Sequence, residues 1–292
     1  MIVNRKKTNV LSSLITALLL LSSFSFSSIS YSNSPSSEQH ATPKDHRIPG
    51  GIAVIPLKET TTSSKIIFNG KEVWKLTDKN NHHWAIIGIP LKQKVGKVSY
   101  QIEGENFSFV IKDKSYREQH LTVKRKHSNP PEDQIKRIRK ESRLSKIAFT
   151  TFSDININKS YNDFLLPAQG PISSPFGLKR FFNEQPRRPH SGIDIAAPRG
   201  SNIIAPADGK IILTGDFFFN GNSIFIDHGQ GLITMYCHMD KLESSTGDKV
   251  KAGDIIGKVG STGRATGPHL HWTVSLNNSR IEPLLFIAQP TK

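Results

Sequence analysis

The sequence is short of cysteine, of acid and of long apolar runs, and each shortage excludes something. A single thiol, Cys237, among 292 residues can staple nothing within the chain, so neither a disulfide framework nor a cysteine-rich zinc module is available. The apolar stretch Val10 to Leu21 falls short of the ~20 residues a transmembrane helix needs. With 36% hydrophobic and 22% charged residues, the chain is neither a multi-span membrane protein nor disordered throughout. No H-E-x-x-H helix is present, so any metal chemistry has to be built from other spacings.

Acid is the scarce charge, with 24 Asp and Glu against 39 Lys and Arg, a net charge of +15. The deficit lies in the first half, where residues 33–159 hold 23 basic against 13 acidic side chains and residues 160–292 hold 13 against 11. A positive half-chain suits nucleic acid, an anionic membrane surface or an anionic wall polymer. No nucleic-acid module signature accompanies it, so nucleic acid is not expected and the excess reads as a solvated surface.

At about 150 residues per domain the length predicts two folded domains once a targeting segment is subtracted. Arg5, Lys6 and Lys7, the apolar Val10 to Leu21 and the small residues of Ser22 to Ser34 have the order of a secretory signal peptide, placed at 1–32. Export to the periplasm is the expectation, with no stable membrane insertion after cleavage. A polar, Ser-rich tether is expected over 33–45.

From His46 onward short apolar runs recur near every ten residues: Ile52 to Leu57, Ile66 to Phe68, Val73 to Leu76, Trp84 to Ile89, Val98 to Ile102 and Phe107 to Ile111. Asn69-Gly70 and Glu103-Gly104 punctuate them, which predicts a small antiparallel, Ig-like β-sandwich over 46–124. Asn129, Pro130, Pro131, Glu132 and Asp133 then signal a helix start, and a basic helical linker is expected over 125–150. Its apolar residues Ile135, Ile138, Leu144 and Ile147 form no clean stripe, so only partial packing is expected. Residues 160–290 turn β-rich again, with glycines between the runs and five of the eleven histidines.

Spacing among those histidines carries the chemistry. His190 and Asp194 are four apart in Pro189-His190-Ser191-Gly192-Ile193-Asp194, and on an extended chain they share a face. Gly267-Pro268-His269-Leu270-His271-Trp272 is an H-x-H entered from a turn. Strand alternation puts both imidazoles on one side, about 6.6 Å apart, with Leu270 and Trp272 in the core. In Thr234-Met235-Tyr236-Cys237-His238 the same alternation sends His238 to the site and Cys237 into the packing. His228 ends a strand at a glycine turn and reads as a turn residue or as support behind a ligand, and the adjacent His82 and His83 read as turn residues unable to chelate one ion together. One carboxylate and several imidazoles suit Zn²⁺: two nitrogens and one oxygen fill three tetrahedral positions and leave the fourth for water. Zinc acidifies that water and polarises a carbonyl, which is the equipment for amide hydrolysis. Residue spacing does not choose between His269 and His271 as the ligand.

These motifs resemble the lysostaphin and LytM-type zinc metalloendopeptidases of bacterial cell walls, as do Ser173-Ser174-Pro175-Phe176-Gly177 and the turns between Gly247 and Gly260. The segment from Gly50-Gly51-Ile52 through Trp84 to Val123 is similar to the β-sandwich module of a Gram-negative branch of that family. The resemblance implies that His190, Asp194 and His271 bind one zinc per chain, while His238 and His269 act on the water and the oxyanion. It implies a mainly β protein: a β-sandwich, a helical linker and an antiparallel LytM-type peptidase domain. It further implies a monomeric hydrolase of peptidoglycan stem-peptide cross-bridges, D-alanyl to meso-diaminopimelate bonds in a Gram-negative wall. The rival is a catalytically inactive LytM-fold regulator that activates an amidase, a class that lacks zinc ligands. Cys237 and Met239, beside His238, depart from the family's usual alanine and leucine.

Overall fold

The structure, a computed structural model, describes residues 42–287 apart from 62–63, 79, 123–129, 131 and 156–163. The expected signal peptide at 1–32 and most of the tether at 33–45 lie outside the described residues, as do Asn129 and Pro131 of the expected helix start. Among the described residues no helix is long and apolar enough to cross a membrane.

The first seven strands are β1 (Ile52–Leu57), β2 (Ile66–Phe68), β3 (Lys71–Glu72), β4 (Trp74–Thr77), β5 (His83–Gly88), β6 (Gly96–Ile102) and β7 (Glu105–Ile111). They form two antiparallel sheets, β1-β5-β4 and β3-β2-β6-β7. Asn69-Gly70 and Glu103-Gly104 turn two hairpins with φ positive at both residues, 50° and 69° in one and 50° and 86° in the other. Such turns match the twist of paired strands. Ala53, Ile55, Val73, Ala85 and Ile87 pack with Ile66, Phe68, Tyr100, Ile102 and Phe109 to fill the sandwich. The alternate residues of the β1-β5-β4 sheet, Ile52, Val54, Trp74, Leu76 and Ile86, are buried too, in the core of the downstream domain. A strand buried on both faces has apolar residues at every position, which is why Ile52 to Ile55 reads as an unbroken apolar run.

Polar bonds close the same seam. The Gly88 N–H donates to Asn277 Oδ1 at 2.6 Å, and Asn277 Nδ2 donates back to the Gly88 carbonyl at 3.1 Å. The described residues accordingly belong to one compact unit. Strand β8 (Glu118–Leu121) lies within the stretch expected to be sandwich, yet its partner is β10 (Lys179–Phe182), in parallel. The strap leading to it carries Tyr116, whose hydroxyl donates to the Pro49 carbonyl at 2.6 Å while its ring meets Phe176 edge-on.

Helix α1 (Ile135–Phe149) follows a 3-10 turn at Glu132–Gln134. Only Ala148 and Phe149 are buried on it, against Phe217, Phe225, Met235 and Cys237, as the missing apolar stripe leads one to expect. Its other end is held by polar bonds: Arg137 reaches Glu141 and Asp216, and Glu141 accepts from the Phe218 N–H at 2.8 Å.

The remaining strands are β9 (Ile172–Ser174), β11 (Gln185–Pro186), β12 (Ile193–Ile195), β13 (Asn202–Ile204), β14 (Gly209–Phe217), β15 (Gly221–Gly229), β16 (Leu232–Met239), β17 (Lys241–Leu242), β18 (Lys249–Val250), β19 (Ile255–Lys258), β20 (Leu270–Leu276) and β21 (Ser279–Ile281). The main sheet runs β18-β14-β15-β16-β20-β12-β9 with β21 added to β20, and β13-β19-β17 forms a small second sheet. Every residue of β16 is buried. The inner face of the main sheet joins the shared core through Ile224, Ile226 and Tyr236, and its outer face lies under α1 through Phe225, Ile233 and Cys237.

Candidate metal centre

Asp194 is brought to His271 by strand pairing: β12 lies antiparallel to β20 with Asp194 opposite His271. The approach is close because residue 192 has no side chain. A Cβ on Gly192 would stand 2.2 Å from the Trp272 carbonyl oxygen. Leu270 and Trp272 are fully buried and His271 turns the other way, as alternation predicts. His269 precedes β20 and is bridged to Gly260.

His190 corrects the sequence expectation. It does not share a strand with Asp194 but lies in the loop before β12, where Pro186 and Pro189 interrupt the ladder. That loop is tied to residues 177–178 by two backbone bonds, His190 N–H to the Leu178 carbonyl and Gly177 N–H to the His190 carbonyl. A loop, not a strand period, delivers this imidazole.

Three donor atoms then converge. His190 Nε2 stands 3.0 Å from Asp194 Oδ1 and 3.0 Å from His271 Nδ1, and His271 Nδ1 stands 2.8 Å from Asp194 Oδ1. The far ring nitrogens fix the tautomers. His190 Nδ1–H donates to the Pro175 carbonyl at 2.9 Å, which leaves a lone pair on Nε2. His271 Nε2 faces Thr273 Oγ1 at 3.0 Å; donating its proton there leaves the lone pair on Nδ1. Two imidazole lone pairs and a carboxylate oxygen at these separations repel one another unless a cation takes all three. The set of two neutral nitrogens and one oxygen fits Zn²⁺. Among the described residues this is the one group of three or more His, Cys, Asp or Glu side chains arranged to hold a metal ion.

The electrostatics agree with ligand chemistry. Burial on its own raises the Asp194 carboxyl, but the hydrogen bonds and charges of His190 and His271 outweigh it and hold the group well below the usual carboxylate range. Arg180 adds a more distant cation, 3.9 Å from Asp194 Oδ2, and donates to Ser174 Oγ at 2.8 Å. Burial lowers His271, favouring the neutral ring that a metal requires.

His238 and His269 flank this group with ring centroids 4.8 Å apart, and His238 lies 6.2 Å from His271. Their Nδ1–H groups donate to the Thr262 and Gly267 carbonyls, each at 2.9 Å, so both present Nε2 to the site. Burial, then the neighbouring imidazoles, push His238 down to about 4. Its backbone has φ +63° at an irregularity in the β15–β16 pairing. Simple alternation fails here: Cys237 pairs with His271 and Tyr236 with Trp272, so an unbroken strand would turn His238 into the core beside Tyr236, and the bulged, left-handed position re-aims it to the site. Cys237, the cross-strand partner of His271, lies on the same face of the sheet but is fully buried under Phe149, Phe225 and Met235, and burial pushes it up to about 12, which makes it an inert packing residue.

The remaining histidines stand apart. His228 is wholly buried at the end of β15, its ring bonded to the Asp208 carbonyl and Thr234 Oγ1. His82 sits in a turn on Asp78, and His83 opens β5 beside Thr77. Sequence reasoning missed Thr273, Pro175 and Arg180. Thr273 is signalled by its place two residues after His271; the other two have no local signal.

Comparison with known proteins follows the same division of the chain. Residues 188–283 match the family model described as peptidase family M23, and residues 45–114 match that of the peptidase family M23 N-terminal domain. A Pseudomonas aeruginosa crystal structure assigned to peptidase M23 is similar with a TM-score of 0.70 and 38% identity, covering 84% of this chain and 96% of that one. The DD-carboxypeptidase/endopeptidase Mpg of Neisseria meningitidis is 42% identical over 120 residues, 41% of this chain and 27% of that protein. The peptidoglycan DD-endopeptidase ShyA of Vibrio cholerae is 35% identical over 118 residues, 40% of this chain and 27% of that protein. The chain thus spans 27% of the length of each of these two curated relatives. Matched along most of a solved relative, and with both domain models in order, the chain belongs to peptidase family M23.

Proposed function

We propose that the chain is an exported, periplasmic zinc metalloendopeptidase that hydrolyses peptide cross-bridges of peptidoglycan, with the D-alanyl to meso-diaminopimelate bond as its target. The convergence of His190 Nε2, Asp194 Oδ1 and His271 Nδ1 within 3.0 Å, beside two further imidazoles, is the observation that carries this reading. The relatives named as DD-endopeptidases support the choice of bond. The basic residues Arg5 to Lys7 ahead of an apolar stretch support export.

His190, Asp194 and His271 hold the zinc. When bound, Zn²⁺ supplies Lewis acidity to the scissile carbonyl and lowers the pKa of its water from 15.7 towards about 7. His238 and His269 face the reacting atoms through Nε2, where an unprotonated ring would take the proton from the nucleophile and a ring that has taken up a proton would donate to the developing oxyanion. Their Nδ1 bonds to Thr262 and Gly267 keep both rings from turning away. Arg180 and Thr273 orient the ligands and take no part in proton transfer.

Digestion of purified sacculi by the zinc-loaded full chain tests the proposal. Uncrosslinked muropeptides are expected, identified by mass, with the yield falling by more than about a hundredfold on chelation or in His190→Ala. A zinc-loaded chain that releases nothing, or one indifferent to chelator that acts only through an added amidase, overturns the reading.

A further inference from the structure

A cavity of about 640 Å³ opens beside the metal centre, with His271 in its wall and α1 on its far side. Four cations face it, Lys146, Arg188, Arg264 and Arg280, against one carboxylate, Glu141. That carboxylate is already engaged, by the Arg137 guanidinium at 2.6 Å and the Phe218 N–H at 2.8 Å. Among the described residues no acidic side chain pairs with Arg188, Arg264 or Arg280. A cavity walled by unpaired guanidinium groups is built for anions, and planar carboxylates in particular.

Two of these arginines are held in place. Arg264 lies in the loop leading to His269; its backbone N–H donates to the Phe219 carbonyl at 2.9 Å, and its guanidinium stacks 4.6 Å from the Phe219 ring centre. Burial, and then the nearby charges of Arg187 and Arg180, lower its pKa. Arg280, on β21, lies opposite Ser275, four residues along β20 from His271, about 13 Å at strand rise. Its guanidinium donates to Ser275 Oγ and to Asn278, and stands 3.4 Å from the Phe149 ring centre of α1. Arg280 thereby faces the same side of β20 as His271 and Thr273.

The chemistry of the substrate supplies the counter-ions. In a bond between D-alanine and the D-centre of diaminopimelate, the leaving residue bears a free carboxylate on the carbon next to the scissile nitrogen, about 2.5 Å from it. Its recognition site therefore has to adjoin the metal centre. Resting on the function proposed above, we infer that Arg264 binds this leaving-side carboxylate and that Arg280 binds a second stem-peptide carboxylate further along β20. The cavity under α1 is then an anionic-peptide subsite, and the linker helix is one wall of the substrate groove.

Two cross-linked muropeptides decide the matter, one with the leaving residue's α-carboxylate free and one with it amidated. For the zinc-loaded full chain, amidation is expected to raise KM by about 10- to 100-fold with little change in kcat, the mark of lost uniform binding. Arg264→Gln is expected to lose the discrimination and Arg264→Lys to keep part of it. Calorimetric binding of the two peptides to the zinc-free chain should show the same ratio without turnover. Equal KM and equal binding for the two peptides, with both cleaved, overturn the subsite and leave the peptidase standing. A folded Arg264→Gln chain that still discriminates overturns the assignment to Arg264. Cleavage of neither peptide overturns both proposals. Should Arg264→Gln fail to fold, the comparison of the two peptides on the unaltered chain decides alone.

Discussion

At the scale of single residues, what distinguishes the histidines is where their second nitrogen goes. His190, His238 and His269 each spend Nδ1 on a backbone carbonyl and offer Nε2, whereas His271 faces Thr273 through Nε2 and offers Nδ1. His228 spends both nitrogens inside the fold and offers nothing. Burial drives its pKa down to about 4, from an ordinary value near 6.5. Between pH 6.5 and 4 the unfolded chain therefore takes up a proton that the folded chain refuses, so stability falls as pH drops through that window. The His228 share is about 3 kcal/mol. Denaturant unfolding at steps from pH 7 to pH 4 should show it as a steeper loss in the unaltered chain than in His228→Gln. Parallel curves would remove His228 from the acid response.

At the scale of elements, the strand pair β12–β20 sets the metal geometry and Gly192 sets the strand pair. An alanine there meets the Trp272 carbonyl and Thr273 Oγ1, 2.2 and 2.8 Å away, and must push β12 outward. Gly192→Ala is expected to cost about 1–3 kcal/mol by overpacking and to part Asp194 from His271. A lower Tm together with weaker zinc retention against a chelator is the expected result; unchanged zinc affinity would show that the approach of the strands is dispensable. Elements with a short apolar run bounded by turn signals, such as β1, β2, β16 and β20, were legible in the sequence because local pattern and burial agree there. The hairpin of β10 and β11 was not, since Lys179 to Pro186 is polar and proline-bounded, and its pairing with β8 joins residues some sixty positions apart. For the same reason the H-x-x-x-D motif was legible as a ligand pair, while its backbone was not: His190 is placed by residues 175–178, outside its own neighbourhood.

At the scale of the molecule, the N-terminal sandwich is part of the peptidase core, which bears on whether it targets, spaces or covers the enzyme. Ile52, Val54, Trp74, Leu76 and Ile86 are buried against the downstream domain, and Asn277 bonds both ways with Gly88 across the seam. Five such side chains at about 1.5–3 kcal/mol each amount to something on the order of 10 kcal/mol, comparable with the whole stability of a domain. A chain beginning at Leu165 is therefore expected to be insoluble or molten, judged by its recovery and by the loss of a cooperative thermal transition. A soluble, cooperatively melting fragment that cleaves faster than the full chain would instead make the sandwich a lid.

Sequence by itself determined the strand-forming runs, the hairpin turns at Asn69-Gly70 and Glu103-Gly104 and the helix under Glu132 to Phe149. It also determined the types of side chain able to hold zinc, because periodicity, turn chemistry and donor chemistry are local properties. Only the tertiary structure decided that His271 rather than His269 completes the three-donor group, that a bulge aims His238, that one sheet serves two cores, and that Arg264 and Arg280 share a cavity with α1. Each of these joins groups distant along the chain, and such juxtapositions are fixed by the packing of many weak contacts at once, which no short stretch of sequence contains.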